Sequence, residues 1–168
     1  MRMDTQKLAL TSLMTALILA VTIAIRIPIP LTQGYIHLGD AMVYLGVIVL
    51  GRRNGSIAAG LGSALADVLG GFAVWAPWSL VIKSGMAFIA GSIMHRTEAD
   101  HKFDIPGKII GMAAGGLFMT ACYFAAETVM YGNPAVALIG IPWNVAQFAV
   151  GTAISLMLSA AVKGKVIW

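Results

Sequence analysis

The chain is 168 residues long, 59% hydrophobic and 11% charged, with a formal net charge of +4 and a mean hydropathy of +0.87. A water-soluble domain of this length cannot hide so much apolar surface, so a soluble enzyme is excluded and the chain is read as integral to a membrane. The positive charge has no soluble basic domain to carry it, which excludes nucleic acid as a partner, and the single cysteine, Cys122, allows neither an internal disulfide nor a thiolate metal site.

A helix needs roughly 20 apolar residues to cross the hydrocarbon. Six apolar stretches meet or approach that length, near 8–25, 37–51, 55–72, 76–94, 109–131 and 135–162. The expected fold is an all-α membrane protein, a single six-transmembrane-helix bundle over residues 1–168. A five-span alternative merges the third and fourth stretches, which only Gly70, Gly71 and Pro77 separate.

The first stretch carries Ser12, Ala16, Ala20 and Ala24 at intervals of four. Helical residues four apart share a face, and a strip of small side chains lets another helix approach closely in lipid. The strip reads as a docking surface, in this bundle or outside it. Arg2 and Lys7 precede the stretch as they would in a signal peptide, but the apolar run is too long and no soluble domain follows, so it is expected to be retained.

The connection from Arg26 to Asp40 holds Ile27-Pro28-Ile29-Pro30, stiffened by two prolines, then Thr32-Gln33-Gly34-Tyr35 and Ile36-His37-Leu38-Gly39-Asp40. So apolar an outer loop can close over a pocket as a lid or pack passively on helix ends. His37 and Asp40 lie within one turn, but two ligands without a third do not make a metal site, and no metal is expected.

Asp67 and Lys83 lie inside the third and fourth stretches and Glu127 in the fifth, where each charge costs about 2.5–3.5 kcal/mol at the membrane centre. Counting helical rise places all three in the outer half, together with Asn144 and Gln147 of the last stretch. Tyr44, Trp75, Trp78, Tyr123 and Trp143 lie around them. A polar layer edged by aromatic rings suits an outward-opening site for a flat heterocycle. The plainer readings are that Asp67 and Lys83 neutralise one another, that Asn144 and Gln147 join helices, and that the tryptophans anchor at the interface. A hydrolase built on Ser63 with His37 or His95 is not expected, because depth counting separates the three.

The basic residues set the orientation, since Lys and Arg collect in cytoplasmic loops. With six spans and both termini cytoplasmic, nine of them (Arg2, Lys7, Arg52, Arg53, Arg96, Lys102, Lys108, Lys163 and Lys165) are inside and Arg26 alone is outside. The polar stretch His95–Lys108 becomes a cytoplasmic connection.

These features together resemble the substrate-binding S components of energy-coupling factor (ECF) vitamin transporters. The matching elements are the Ala16-xxx-Ala20 strip, Tyr35-Ile36-His37-Leu38-Gly39-Asp40, Ile82-Lys83 and Ile141-Pro142-Trp143-Asn144-Val145-Ala146-Gln147. The resemblance implies a multi-pass protein of a prokaryotic cell membrane. It would capture a small vitamin outside and topple in the bilayer to deliver it inward. Ala16, Ala20 and Ala24 would dock on a transmembrane coupling subunit, and two cytoplasmic ATPase subunits would use ATP and Mg. Lys83, Glu127, Asn144 and Gln147 become ligand contacts, with His37, Tyr44, Asp67 and Trp78 around them. The chain itself would bind no cofactor and catalyse no reaction; it has no G-x-x-x-x-G-K-[ST] phosphate loop. Residues 123–132 and 141–147 look most like members that take pyridoxine- or hydroxymethylpyrimidine-type compounds. Riboflavin or another vitamin is the alternative, and a membrane assembly subunit without a substrate is the second.

Overall fold

The computed structural model describes residues 5–28, 35–98 and 105–161. Ile29, Pro30, Thr32, Gln33 and Gly34 of the expected lid lie outside the described residues, as do Arg2, Lys102, Lys163 and Lys165. Helix dominates, as it must where lipid offers the backbone no hydrogen bonds. Helix α1 (Thr5–Ala24) leads through an antiparallel ribbon, β1 (Arg26–Pro28) against β2 (Tyr35–His37), into α2 (Gly39–Leu69). A 3-10 turn (Ala73–Trp75) precedes α3 (Ala76–Glu98); α4 (Ile105–Tyr131), the short α5 (Pro134–Ala137) and α6 (Gly140–Ala161) follow. Among the described residues, four stretches are long and apolar enough to cross a membrane: Thr5–Ala24, Ala73–Met94, Ile105–Tyr131 and Pro134–Ala161.

Helix α2 is two arms. Gly51 takes φ 75° and ψ 172°, a conformation that side chains disfavour and glycine tolerates. A Cβ placed on Gly55 would lie 2.8 Å from the Cα of Val47, although eight residues of unbroken helix would hold those positions about 12 Å apart. The chain therefore turns back at Gly51, with Arg52 and Arg53 on the bend, and the arms 39–50 and 52–69 pack side by side. They correspond to the second and third predicted stretches. The first arm reaches only about 18 Å, less than the hydrocarbon thickness of about 30 Å.

The arms of α2 pack on α1, α3 and α6, and α4 closes the far side against α3 and α6. Val43, Val47, Met86, Ala90, Met112 and Met119 are fully buried at the centre. Helix α1 is peripheral: only Thr11, Ile18 and Thr22 are buried, while Ser12, Ala16, Ala20 and Ala24 are all exposed. The predicted last stretch, 135–162, is broken near its start. Gly132 turns the chain at φ 63°, Asn133 caps α5 by accepting from the Ala135 N–H at 2.9 Å, and α6 begins only at Gly140.

Candidate functional site

The ribbon is strapped to the end of α2. The Arg26 guanidinium donates to the Gly70 carbonyl at 3.1 Å and lies 5.5 Å and 5.9 Å from the ring centres of Tyr35 and Phe72. Those two rings sit 4.6 Å apart, and the Tyr35 hydroxyl donates to Asp67 Oδ1 at 2.5 Å. A three-residue strand has little stability alone; these contacts hold β2 across the helix ends.

Behind β2 lies a sealed polar network. The Lys83 ammonium donates to Asp40 Oδ1 at 2.5 Å, with both side chains essentially inaccessible. Asp40 Oδ2 accepts from Gln147 Nε2 at 2.8 Å, and Gln147 Oε1 accepts from the His37 backbone N–H at 3.0 Å. The Gly39 N–H donates to His37 Nδ1 at 3.0 Å. Burial, and secondarily the Lys83 charge, holds the His37 imidazole down at about 4, so it is a neutral acceptor near pH 7. Lys83 also lies 2.9 Å from Met119 Sδ and 5.6 Å from the centre of the Tyr123 ring.

In front of the network is a narrow cavity of about 40 Å³. Its walls are Thr22 of α1, Tyr35 and His37 of β2, Ser63 and Asp67 of α2, Trp75, Ser79 of α3, Tyr123 and Glu127 of α4, and Asn144 and Gln147 of α6. A cavity that admits benzene measures on the order of 150 Å³, so an organic ring enters only if these walls move apart. Here the polar groups are unfinished. Among the described residues, buried side-chain atoms without a partner are Thr22 Oγ1, Ser63 Oγ, Asp67 Oδ2, Glu127 Oε2 and Thr152 Oγ1; the first four belong to cavity residues. Buried polar atoms are normally paired, and a concentration of bare ones marks a place built to receive hydrogen bonds. Glu127 is accommodated by Gly140, where a Cβ would lie 2.5 Å from Oε2. Ser79 and Tyr123 join hydroxyls at 3.0 Å, and Trp75 and Tyr123 stand 6.2 Å apart as aromatic walls.

Of the residues expected at a site, His37, Asp67, Glu127, Asn144 and Gln147 meet on this cavity, with Trp75 and Tyr123. Three others are elsewhere. Lys83 is behind the wall, paired with Asp40, which corrects the reading that it neutralises Asp67. Tyr44 is fully buried, its hydroxyl donating to the Met112 carbonyl at 2.8 Å, and Trp78 is 37% exposed on the bundle surface. Neither lines the cavity, because helical rise gives a side chain's depth but packing gives its direction. Trp143 is likewise exposed. Ser63 and His37, separated by depth counting, share the cavity wall, since β2 is folded back over the helix ends. Thr22, Tyr35, Ser63 and Ser79 were not expected as site residues. Tyr35 had a signal, as the one aromatic residue between the prolines and His37.

A family model described as "ECF-type riboflavin transporter, S component" matches residues 2–164. The chain is 28% identical over 159 residues to the thiamine precursor transporter HmpT of Lactococcus lactis subsp. cremoris (strain MG1363), covering 94% of this chain and 88% of that protein. It is 38% identical over 111 residues to an uncharacterised protein of Pyrococcus woesei, covering 66% of this chain and 71% of the relative. A solved structure of the S component of a bacterial ECF transporter superposes with a TM-score of 0.77 at 18% identity, covering 95% of this chain and 96% of the other. At that identity the likeness is one of fold.

Proposed function

Because the chain belongs to the S-component family of ECF-type riboflavin transporters, we propose that it captures a small hydroxymethylpyrimidine- or pyridoxine-type ring outside a prokaryotic cell and delivers it inward. The observation that carries this reading is the cavity chemistry. Asp67 and Glu127, each with one buried and unpartnered carboxyl oxygen, stand on the cavity wall beside Trp75 and Tyr123, while the nearby cation, Lys83, is committed to Asp40. A ring bearing amino or hydroxyl donors can satisfy those oxygens and stack on the walls; among the described residues that line the cavity there is no Lys or Arg to pair with a carboxylate-bearing vitamin such as pantothenate. The nearly full-length likeness to a thiamine precursor transporter agrees. Riboflavin is the second reading, favoured by the family's description, and its larger ring system demands a wider opening of the cavity.

We read the chain as one domain of six spans with both termini cytoplasmic, the arms of α2 supplying the second and third. It hydrolyses no ATP; the energy comes from a partner module of a transmembrane coupling subunit and two ATPases. Docking is assigned to Ala16, Ala20 and Ala24, supported by their exposure opposite the packing face of Thr11, Ile18 and Thr22. Purified chain in detergent, without ATP or metal, is expected to be stabilised against heat by hydroxymethylpyrimidine or pyridoxine more than by riboflavin, thiamine or pantothenate, since a ligand stabilises the state it binds. Stabilisation by riboflavin alone selects the second reading, and none by any of the five overturns vitamin capture. Ala16→Trp or Ala20→Trp should abolish copurification with the coupling subunit while leaving ligand stabilisation intact; loss of both would show that the strip serves the bundle itself.

A further inference from the structure

The amide of Gln147 stands between the sealed network and the cavity, and its two neighbours are chemically one-sided. On one side is the His37 backbone N–H, which can only donate, at 3.0 Å from Oε1. On the other is Asp40, whose carboxylate faces the Lys83 ammonium and can only accept, with Oδ2 at 2.8 Å from Nε2. A side-chain amide has two orientations, and only one of them satisfies both partners. Asp40 and Lys83 do not line the cavity, but Gln147, His37 and Tyr123 do: Asp40 accepts from Gln147, Gln147 accepts from the His37 N–H, and Lys83 lies 5.6 Å from the centre of the Tyr123 ring.

We propose that Asp40 and Lys83 form a positioning pair that locks the Gln147 amide, with its oxygen held to β2 and one N–H of Nε2 left for the ligand. Two consequences follow from one device. Gln147 offers the ligand a fixed donor, matched to a ring nitrogen or hydroxyl oxygen. The same amide clamps β2, through His37, against α6, so the wall carrying Tyr35 and His37 is held by an acceptor at position 40. A buried ion pair adds little net stability over well-packed apolar side chains; here its place is explained by the need for an acceptor opposite Gln147 Nε2.

The inference about the ligand rests on the proposed vitamin site, so its test has one arm with ligand and one without. Two uncharged double variants are compared. Asp40→Asn/Lys83→Met keeps a carbonyl acceptor for Gln147, and Asp40→Leu/Lys83→Met removes it. Both are checked for cooperative thermal unfolding, so that a variant that fails to fold is recognised and replaced by Gln147→Leu, which removes the same clamp from the other end. In the arm without ligand, amide hydrogen exchange over residues 35–38 should stay near wild type in the first variant and accelerate about tenfold in the second, the size of one lost hydrogen bond. In the arm with ligand, hydroxymethylpyrimidine and pyridoxine are titrated into each. The acceptor-retaining variant should bind within about threefold of wild type and the acceptor-less one about tenfold more weakly or worse. Equal exchange and equal affinity in the two variants overturn the positioning role. If wild type binds neither probe while exchange separates the variants as expected, the vitamin assignment fails and the clamp on β2 stands.

Discussion

Two acidic regions lie side by side in this bundle, and they are finished differently. Around Asp40 each carboxylate oxygen has its own donor, Lys83 for one and Gln147 for the other, and both ions are inaccessible. Around Asp67 and Glu127, one oxygen of each carboxyl has no partner, and the hydroxyls of Thr22 and Ser63 nearby have none either. Both regions carry the cost of placing polar groups in a membrane bundle, but only the first is closed by the chain's own side chains. A paired buried charge belongs to the scaffold; bare buried oxygens on cavity residues leave hydrogen bonds for a partner from outside the chain to make.

The largest test breaks the sealed region. Lys83→Met alone leaves Asp40 buried without its cation, and breaking a buried pair from one side typically costs about 3–5 kcal/mol. Thermal unfolding in detergent should show that loss, and adding Asp40→Asn should recover most of it. A Lys83→Met protein as stable as wild type would mean that Asp40 finds another donor and that the region is not closed. A smaller effect is expected in the open region. Glu127→Gln exchanges one bare oxygen for a donor at unchanged size, so affinity for hydroxymethylpyrimidine, the proposed ligand, should fall by roughly 1.5–3 kcal/mol, at least tenfold, while the unliganded fold loses nothing or gains. Unchanged affinity in a titration, or a marked loss of unliganded stability, would move Glu127 to the scaffold.

The contrast between the regions was only half legible in the sequence. Apolar run length anticipates the long helices, and the break expected between residues 51 and 55 falls at the bend on Gly51, because lipid forces the backbone into rods of a known rise. The same rise brings Asp67, Glu127, Asn144 and Gln147 to one depth, and they do meet on the cavity. Rotation about each helix axis is not given by depth. Tyr44, one turn beyond Asp40 on the same face, therefore belongs to the interior, and Trp78 to the surface. The choice of Asp40 over Asp67 as the partner of Lys83 depends on how the first arm of α2 packs beside α3. Nor does a periodic pattern foretell that a three-residue strand would bring Tyr35 onto Asp67, since such a strand is held by side-chain contacts rather than by its own ladder.

The smallest effect concerns His37, which belongs to both regions: its backbone N–H enters the sealed network and its side chain lines the cavity. Burial holds this imidazole at about 4, against about 6.5 in an unfolded chain. Below 6.5 the unfolded chain therefore takes up a proton that the folded chain refuses until about 4. The stability linked to His37 is complete above 6.5 and is lost as the pH falls from there toward 4. Between about pH 7 and about pH 5.5 the loss is on the order of 1 kcal/mol, a fall of roughly 2–4 °C in Tm for a chain of this size. His37→Asn, which can still accept from the Gly39 N–H but does not titrate there, should flatten that part of the profile. If the variant's Tm falls as steeply as that of wild type, the pH dependence arises from other groups, and the imidazole joining the two regions is not held neutral by the fold.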